Sequence, residues 1–226
     1  MATHYKIGTS EPVIRHDPGA GMWNSKPKTQ KMSILKSEIR GHLPHAFLII
    51  GDDAARHMNH YFKNTGKDYI IDLQDMIDDV QSAKRRYKRE IDKVKIFVGT
   101  LPVGTHHITT DTTAQGYNRK KENWNWYYAV GGYSAWIKGI AKVESDSSGK
   151  RKYRLDYEYK VVDHYNWDHG KHVTIFGIKI EDVFMGEFHM QGMAREFKML
   201  GFIKASIEWD SLSPGTHTVV SQSTGR

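Results

Sequence analysis

The sequence predicts an α+β fold in which a mainly helical first half is followed by a β-rich second half. Two observations indicate this: apolar residues recur at helical spacing before residue 100, and apolar and polar residues alternate in segments after Pro102. A chain of 226 residues can form one large domain or two small ones. We expect a flexible arm or linker over 1–30, a helical subdomain over 31–104, a β-rich active domain over 105–210 and a mobile tail over 211–226.

The helical half is predicted from spacing and from end signals. Residues 1–30 contain three prolines and little apolar periodicity, which is typical of an arm without its own core. Helical signals begin near Met32. Acidic residues at the start and Gly66 after the end predict a helix over about 53–64. A further amphipathic helix ends before Pro102, and its apolar face carries Ala83, Tyr87, Ile91, Val94 and Phe97.

The β-rich half is predicted as an antiparallel β-sheet or half-barrel with one helix packed on it. In the clearest strand, YRLDYEYK at 153–160, apolar and charged residues alternate, and the loop ESDSSGK joins it in a hairpin to YSAWIKGIAKV at 133–143. VTIFGIKI at 173–180 and FIKASIEW at 202–209 add two strands. Between them, 182–200 is predicted as the packed helix, with Asp182 as its N-cap and Gly201 as its stop.

The amino-acid composition excludes several kinds of site and of protein. The chain has no cysteine, which excludes disulfides, thiolate zinc sites and a cysteine nucleophile. Its longest strongly apolar run, AFLII, is too short for a transmembrane helix. The start, MATHYKIGTSEP, lacks signal-peptide features, so we expect delivery without one. The net charge of +7 favours acidic partners such as nucleic acid or anionic lipid, although KRRYKR also fits a solvated helix face.

An aromatic run, ENWNWYYAVGGYSAW, is the first candidate for a site. Its large rings could line a groove for an amphipathic ligand, or stack bases beside Arg119, Lys120 and Lys121. Alternatively, they form the core of the sheet, with Gly131 and Gly132 at a bulge. The residues expected to bind substrate here are Trp124, Trp126, Tyr128 and Tyr133.

The segment VVDHYNWDHGKHV joins two predicted strands and is densest in reactive side chains. Its acids and histidines could perform acid–base chemistry with Asp163, Tyr165, Asp168 and His172, while Lys171 would bind substrate. Asp163 and Asp168 could instead hold a divalent cation as a cofactor. A plain polar turn, in which Asn166 and Asp168 bond their own backbone, is the alternative.

His189, on the predicted packed helix, is a further catalytic candidate. The helix could bring it beside the polar segment, together with Glu187 and with Arg195 as a substrate-binding residue. A histidine on a packed helix also fits a structural role. The sequence has no serine elbow, no glycine-rich phosphate loop and no HExxH motif.

The stretch 117–209, including DYEYKVVDHYNWDHGK and DVFMGEFHMQGMAREF, resembles C-terminal modules of bacterial secreted and polymorphic toxins. The spacing of Asp163, Tyr165 and His172 is also similar to the catalytic element of the colicin M family, bacteriocins that cleave lipid II. The sequence departs from that element at Asn166 and Val173, where the family has aspartate and arginine. The resemblance implies export, a cognate immunity protein and a secretion-machinery partner.

These observations lead to a functional expectation with open alternatives. We expect an antibacterial toxin or effector domain that acts in the periplasm or at the membrane and hydrolyses a phosphodiester of a lipid-linked peptidoglycan precursor. A membrane-permeabilising or lipid-binding module is the first alternative, because aromatic and basic residues suit a bilayer interface. A nuclease is the second, and nucleic acid is the less expected partner.

Overall fold

The computed structural model describes residues 4–16, 18–167, 172–175, 178–210 and 215–225, with side chains described except at 46–47, 172–175 and 178–183. The first half contains four helices and two short strands: β1 (Tyr5–Ile7), α1 (Gln30–Ile50), α2 (Asp52–Phe62), β2 (Tyr69–Ile70), α3 (Leu73–Asp79) and α4 (Gln81–Gly99). The second half contains β3 (Gly104–Thr110), β4 (Ala114–Tyr117), α5 (Trp124–Ala129), β5 (Gly132–Ser145), β6 (Arg151–Tyr165), β7 (His172–Ile175), β8 (Ile178–Glu181), α6 (Asp182–Met190), β9 (Phe197–Asp210) and β10 (Thr216–Gln222). The α+β prediction is therefore confirmed, and the change of class occurs between α4 and β3.

One open sheet dominates the second half. Its strand order is β1-β3-β5-β6-β9-β10, with β4 antiparallel to β5 and β2 parallel to β9. The long strands β5, β6 and β9 form its centre, and the β5–β6 hairpin is confirmed, with Val143 opposite Tyr153. The sheet is mixed, because β2 is parallel to β9, and it is open rather than closed.

Alternation along β6 decides which face of the sheet is buried. Leu155, Tyr159 and Val161 are buried against the helices, whereas Arg154 and Asp156 point to the opposite face, called here the outer face. This is the pattern expected of a strand with one buried face. Apolar residues of the helices and of this face form one core cluster, so the helices pack across the sheet.

The predicted helix over 182–200 is too long. In the structure α6 ends at Met190, Gly192 turns the chain at a φ of 64°, and β9 begins at Phe197. The first residues of β9 alternate, with Phe197 and Met199 buried and Lys198 exposed, which is strand periodicity. Pairing with β6 on one side and β2 on the other therefore overrides the weak helical pattern.

The predicted single strand over 173–180 is also wrong. The backbone of β7 pairs antiparallel with β8, Val173 opposite Ile180, in a separate two-stranded sheet. The period-2 pattern of this segment does not distinguish one long strand from a small hairpin. Residues 176 and 177 lie outside the described residues.

The prediction of a flexible arm needs correction. β1 pairs with β3, and Glu11 forms ion pairs with Lys138 and Lys160 on the outer face. Farther along, the backbone N–H of Lys26 donates to the carbonyl of Met190, 2.8 Å away, at the end of α6. The arm has no core of its own, but the sheet and α6 supply partners for its backbone and its charges.

The predicted mobile tail needs correction as well. β10 pairs antiparallel with β9, and the N–H of Ser223 donates to the carbonyl of Phe202, 2.9 Å away. Side chains on both faces of β10 are mainly exposed, so the strand carries no apolar alternation that sequence analysis could detect. The unpaired edge of β9 provides the backbone partners that order it. Residues 211–214 lie outside the described residues.

Candidate functional site

The end of β6 brings together two of the predicted catalytic residues. Asp163 and Tyr165 share the helix-facing side of the strand, opposite Met199 and Phe197 of β9. Asp163 is half-buried, whereas Tyr165 is only 6% exposed. The ring of Tyr165 stacks on that of Phe197, with centroids 4.8 Å apart and planes 14° apart. Tyr165 thus fixes the strand end by packing and presents little surface to a ligand.

Helix α2 supplies a buried histidine beside this strand end, which the sequence analysis did not select. The ring of His57 lies 5.8 Å from that of Tyr165 and 4.4 Å from that of Tyr69. Its Nδ1 is 2.7 Å from the carbonyl of Asp53, to which it donates, and its buried Nε2 has no hydrogen-bond partner among the described residues. Burial lowers the pKa of His57 to about 4. The imidazole is therefore neutral at physiological pH, with Nε2 as a bare acceptor.

The position of His57 follows from the periodicity of α2. Ala54 and Tyr61 are buried on the same helix, three and four residues from His57, which places the three on one face. This spacing was the available signal, and it is weak because it also fits an ordinary core residue. The hydroxyl of Tyr61 donates to the carbonyl of Met185, 2.6 Å away, which anchors α2 to α6.

A buried carboxylate ties the segment after β6 to the arm. Oε1 of Glu196 accepts hydrogen bonds from the backbone N–H groups of Trp167 and Ala20, each at 3.0 Å. The indole N–H of Trp167 is itself buried without a partner among the described residues. The strand-end cluster is defined here as His57, Tyr61, Tyr165, Trp167 and Glu196. It is a closely packed aromatic region that contains two unpartnered nitrogen atoms.

His189 lies beside the strand-end cluster, but its ring nitrogens are occupied. Nδ1 accepts from the N–H of Glu196 at 3.1 Å, and Nε2 lies 3.0 Å from the carbonyl of Gly21. These partners select the neutral tautomer with the proton on Nε2. His189 therefore orders the backbone around Glu196 and links it to the arm, which is a positioning role.

Residues 124–129 of the aromatic run form α5 rather than a strand, whereas Tyr133 lies on β5 and joins the core, as the alternative of a sheet core predicts. Asn123 caps α5 by accepting from the N–H of Trp126 at 3.0 Å. Trp126 is 0% exposed and donates its indole N–H to Asp79 at 2.9 Å, and Tyr133 is buried beside Gly116. Both rings pack inside the protein, so the expectation that they contact substrate needs correction. Two other rings remain accessible: that of Trp124, 42% exposed, and that of Tyr128, half-buried.

Asp53 connects α5 to the strand-end cluster. Its carboxylate accepts from the side-chain amide of Asn125 at 2.8 Å, and its backbone carbonyl accepts from His57. Burial raises the pKa of Asp53, and the hydrogen bond from Asn125 opposes that rise. The two regions selected from the sequence thus contact the same turn of α2.

The other predicted site residues are dispersed or undescribed. Asp168 and Lys171 lie outside the described residues, and for His172 the structure gives only the backbone, at the start of β7 opposite Glu181. Arg195 is exposed, with its guanidinium 4.6 Å from the ring centre of Trp23. Within the described part of the chain, no three His, Asp or Glu side chains come together as a metal site.

A groove of about 620 Å³ crosses the outer face of the sheet, away from the predicted site residues. Gly139, Ile140 and Lys204 line it, and Arg154 forms an ion pair with Asp156 at 3.0 Å in its wall. This ion pair lowers the pKa of Asp156, so its carboxylate stays charged. The groove is mixed in charge and resembles a solvated sheet face more than a catalytic pocket.

Comparison with family models, curated proteins and solved structures gives no match for this chain. In the described part of the chain, no helix is both long and apolar enough to cross a bilayer. Function is therefore inferred from the chemistry of the strand-end region itself.

Proposed function

We propose that the chain is an antibacterial effector domain that acts on the cell envelope and hydrolyses a lipid-linked peptidoglycan precursor. One observation carries the proposal: Asp163 and Tyr165 lie on one face at the end of β6, immediately before the segment that contains Asp168 and His172. A half-buried carboxylate at the end of a rigid strand is a suitable general base or cation ligand. The resemblance in spacing to lipid II-cleaving bacteriocins gives the substrate class.

In this proposal Asp163 and His172 perform the acid–base chemistry or hold a divalent cation, and Asp168 supports them. Tyr165 is a positioning residue, because its ring is stacked on Phe197 and largely buried. The uncharged His57 behind the strand avoids placing a positive charge in this packed region. The rigid surroundings would hold Asp163 in one orientation, as catalysis requires.

The test is growth of a bacterial host that expresses the chain in the cytoplasm or in the periplasm. Wild-type protein should kill only from the periplasm, and Asp163→Asn and His172→Ala should each reduce killing. Loss of an acid or base reduces rates by about 10²- to 10⁴-fold. Asp68→Asn removes an exposed carboxylate elsewhere and should kill like the wild type. Circular dichroism of each purified variant verifies that it is folded.

The other outcomes refute specific parts of the proposal. Undiminished periplasmic killing by Asp163→Asn and His172→Ala would eliminate these residues as catalytic groups and indicate membrane disruption. Killing from the cytoplasm would indicate a nuclease or another intracellular target. Absence of killing from either compartment would refute the effector function.

A further inference from the structure

A compact surface beside α5 combines positive charge with tyrosines. The N-terminal part of α4 contributes Arg85, whose guanidinium lies 3.4 Å from the carboxylate of Glu122. Ser82 donates its backbone N–H to the same carboxylate at 3.0 Å, which joins α4 to the turn at 118–123. We call this region the cation–tyrosine surface and define it by its exposed or half-buried members: Arg85, Lys88, Arg89, Tyr117, Arg119, Lys120, Lys121, Trp124, Tyr127 and Tyr128.

Cations outnumber acids among the members of this surface, while Asp79 and Asp53 contact Trp126 and Asn125 of α5 beside it. Arg119, Lys120 and Lys121 are consecutive and exposed, and Arg85 and Arg89 lie one turn apart on α4. Glu122 is the acid within the turn, and its side chain is 17% exposed. Its hydrogen bonds from Ser82, followed by nearby arginines, lower the pKa of Glu122, so it offsets one positive charge. The remaining cations favour an anionic partner.

The tyrosines contact one another and Lys120, so that some of their ring faces are covered. The rings of Tyr127 and Tyr128 meet edge to face, 5.0 Å apart and inclined by 70°. Tyr117 contacts Tyr127 in the same manner at 6.1 Å and 76°, and the ammonium of Lys120 lies 5.3 Å from the ring centre of Tyr128. Stacking of nucleic-acid bases requires free ring faces. This arrangement favours a partner that contacts ring edges and hydroxyls.

We propose that the cation–tyrosine surface binds the anionic headgroups of a phospholipid bilayer. Tyrosine and tryptophan are enriched at the level of the headgroups, where an apolar ring and a polar edge are both accommodated. Tyr117, 47% exposed, and Trp124, 42% exposed, can enter that layer while the surrounding cations approach lipid phosphates. The inference rests on the proposed function, because a lipid-linked precursor is reached at the membrane surface.

The experiment is co-sedimentation of the full chain with vesicles of phosphatidylcholine alone or mixed with phosphatidylglycerol. Wild-type protein should bind the mixed vesicles, and added salt should weaken this binding. The triple variant Arg119→Glu, Lys120→Glu, Lys121→Glu should bind about 100-fold more weakly, because each cation near an anionic bilayer contributes measurably to affinity. A matched triple variant of exposed lysines elsewhere, Lys63→Glu, Lys67→Glu and Lys152→Glu, should bind far better than the first triple.

Two further variants separate this inference from the catalytic proposal. Trp124→Ala should weaken binding without changing its salt dependence, because it removes an uncharged contact. Asp163→Asn should bind like the wild type, since these vesicles contain no lipid-linked precursor and binding requires no cleavage. A variant that no longer kills but still binds vesicles would therefore have lost the proposed catalysis and kept membrane binding.

Three results would overturn the headgroup proposal. Equal binding to vesicles with and without phosphatidylglycerol would show that the protein does not recognise anionic headgroups. Equal binding by the two triple variants would assign the effect to overall charge rather than to this surface. Salt-sensitive binding of a single-stranded oligonucleotide that is tighter than binding to the mixed vesicles, and that only the first triple variant loses, would assign the surface to nucleic acid.

Discussion

Replacement of His57 by phenylalanine should remove a defined part of the pH dependence of stability. In the folded protein His57 is buried, its Nε2 is unpartnered and its pKa is lowered from 6.5 to about 4. In the unfolded chain the ring is hydrated and recovers its ordinary pKa. Below pH 6.5 His57 therefore binds a proton in the unfolded state but not in the folded state. The free energy of unfolding accordingly decreases as the pH falls from 6.5 towards 4.

The size of this effect follows from the two pKa values of His57. Linkage gives a loss of about 1 kcal/mol at pH 5.5 and about 2–3 kcal/mol at pH 4.5, relative to pH 7.5. A loss of this size is a large fraction of the stability of a typical domain. Phenylalanine cannot take up a proton, so His57→Phe should lack this loss.

The assay is urea unfolding followed by circular dichroism at pH 7.5, 5.5 and 4.5. Because other groups titrate in the same range, the informative quantity is the difference between variant and wild type at each pH. His45→Phe serves as the control, since His45 is exposed on α1 and should show the wild-type dependence. The reasoning is wrong if wild type and His57→Phe lose the same free energy of unfolding between pH 7.5 and pH 4.5.

Two further substitutions test how the site is held together. Glu196→Ala should leave the N–H groups of Ala20 and Trp167 without their acceptor. We therefore expect the free energy of unfolding to fall by about 3 kcal/mol and proteolysis of residues 18–29 to become faster. Unchanged urea unfolding and unchanged cleavage would contradict this. Gly51→Ala should cost about 1–3 kcal/mol, because Gly51 has a φ of 87° and an added Cβ would lie 2.4 Å from the side chain of Asn125. Gly41→Ala, in open space on α1, should be neutral or stabilising, and equal thermal shifts for the two glycine variants would refute this account.

Parts of the fold and site were predictable where a local pattern has one physical solution. Alternation over 153–160 requires a strand with one buried face, and the polar loop before it requires a hairpin. These features depend on neighbours in sequence, so no tertiary information was needed. The extension of β6 to Tyr165 was not predicted, because the sequence analysis placed Asp163 and Tyr165 in the segment that joins two strands.

Other parts depend on distant partners and were mispredicted. β10 has no apolar face and is ordered by the free edge of β9, and the arm is held by Glu196 and by lysines on the sheet. The segment after Gly192 becomes a strand because β6 and β2 flank it. In each case backbone hydrogen bonding or an ion pair with a remote element outweighs a weak local preference.

By itself, the sequence determined the fold class, the central hairpin and the absence of cysteine chemistry. Only the tertiary structure decided that Tyr165 and Trp126 are packing residues, that both nitrogens of His189 are engaged, and that His57 lies behind the strand end. The physical reason is that residue type and spacing specify which side of an element is apolar. Burial, pKa and hydrogen-bond partners are set by the elements that pack against that side.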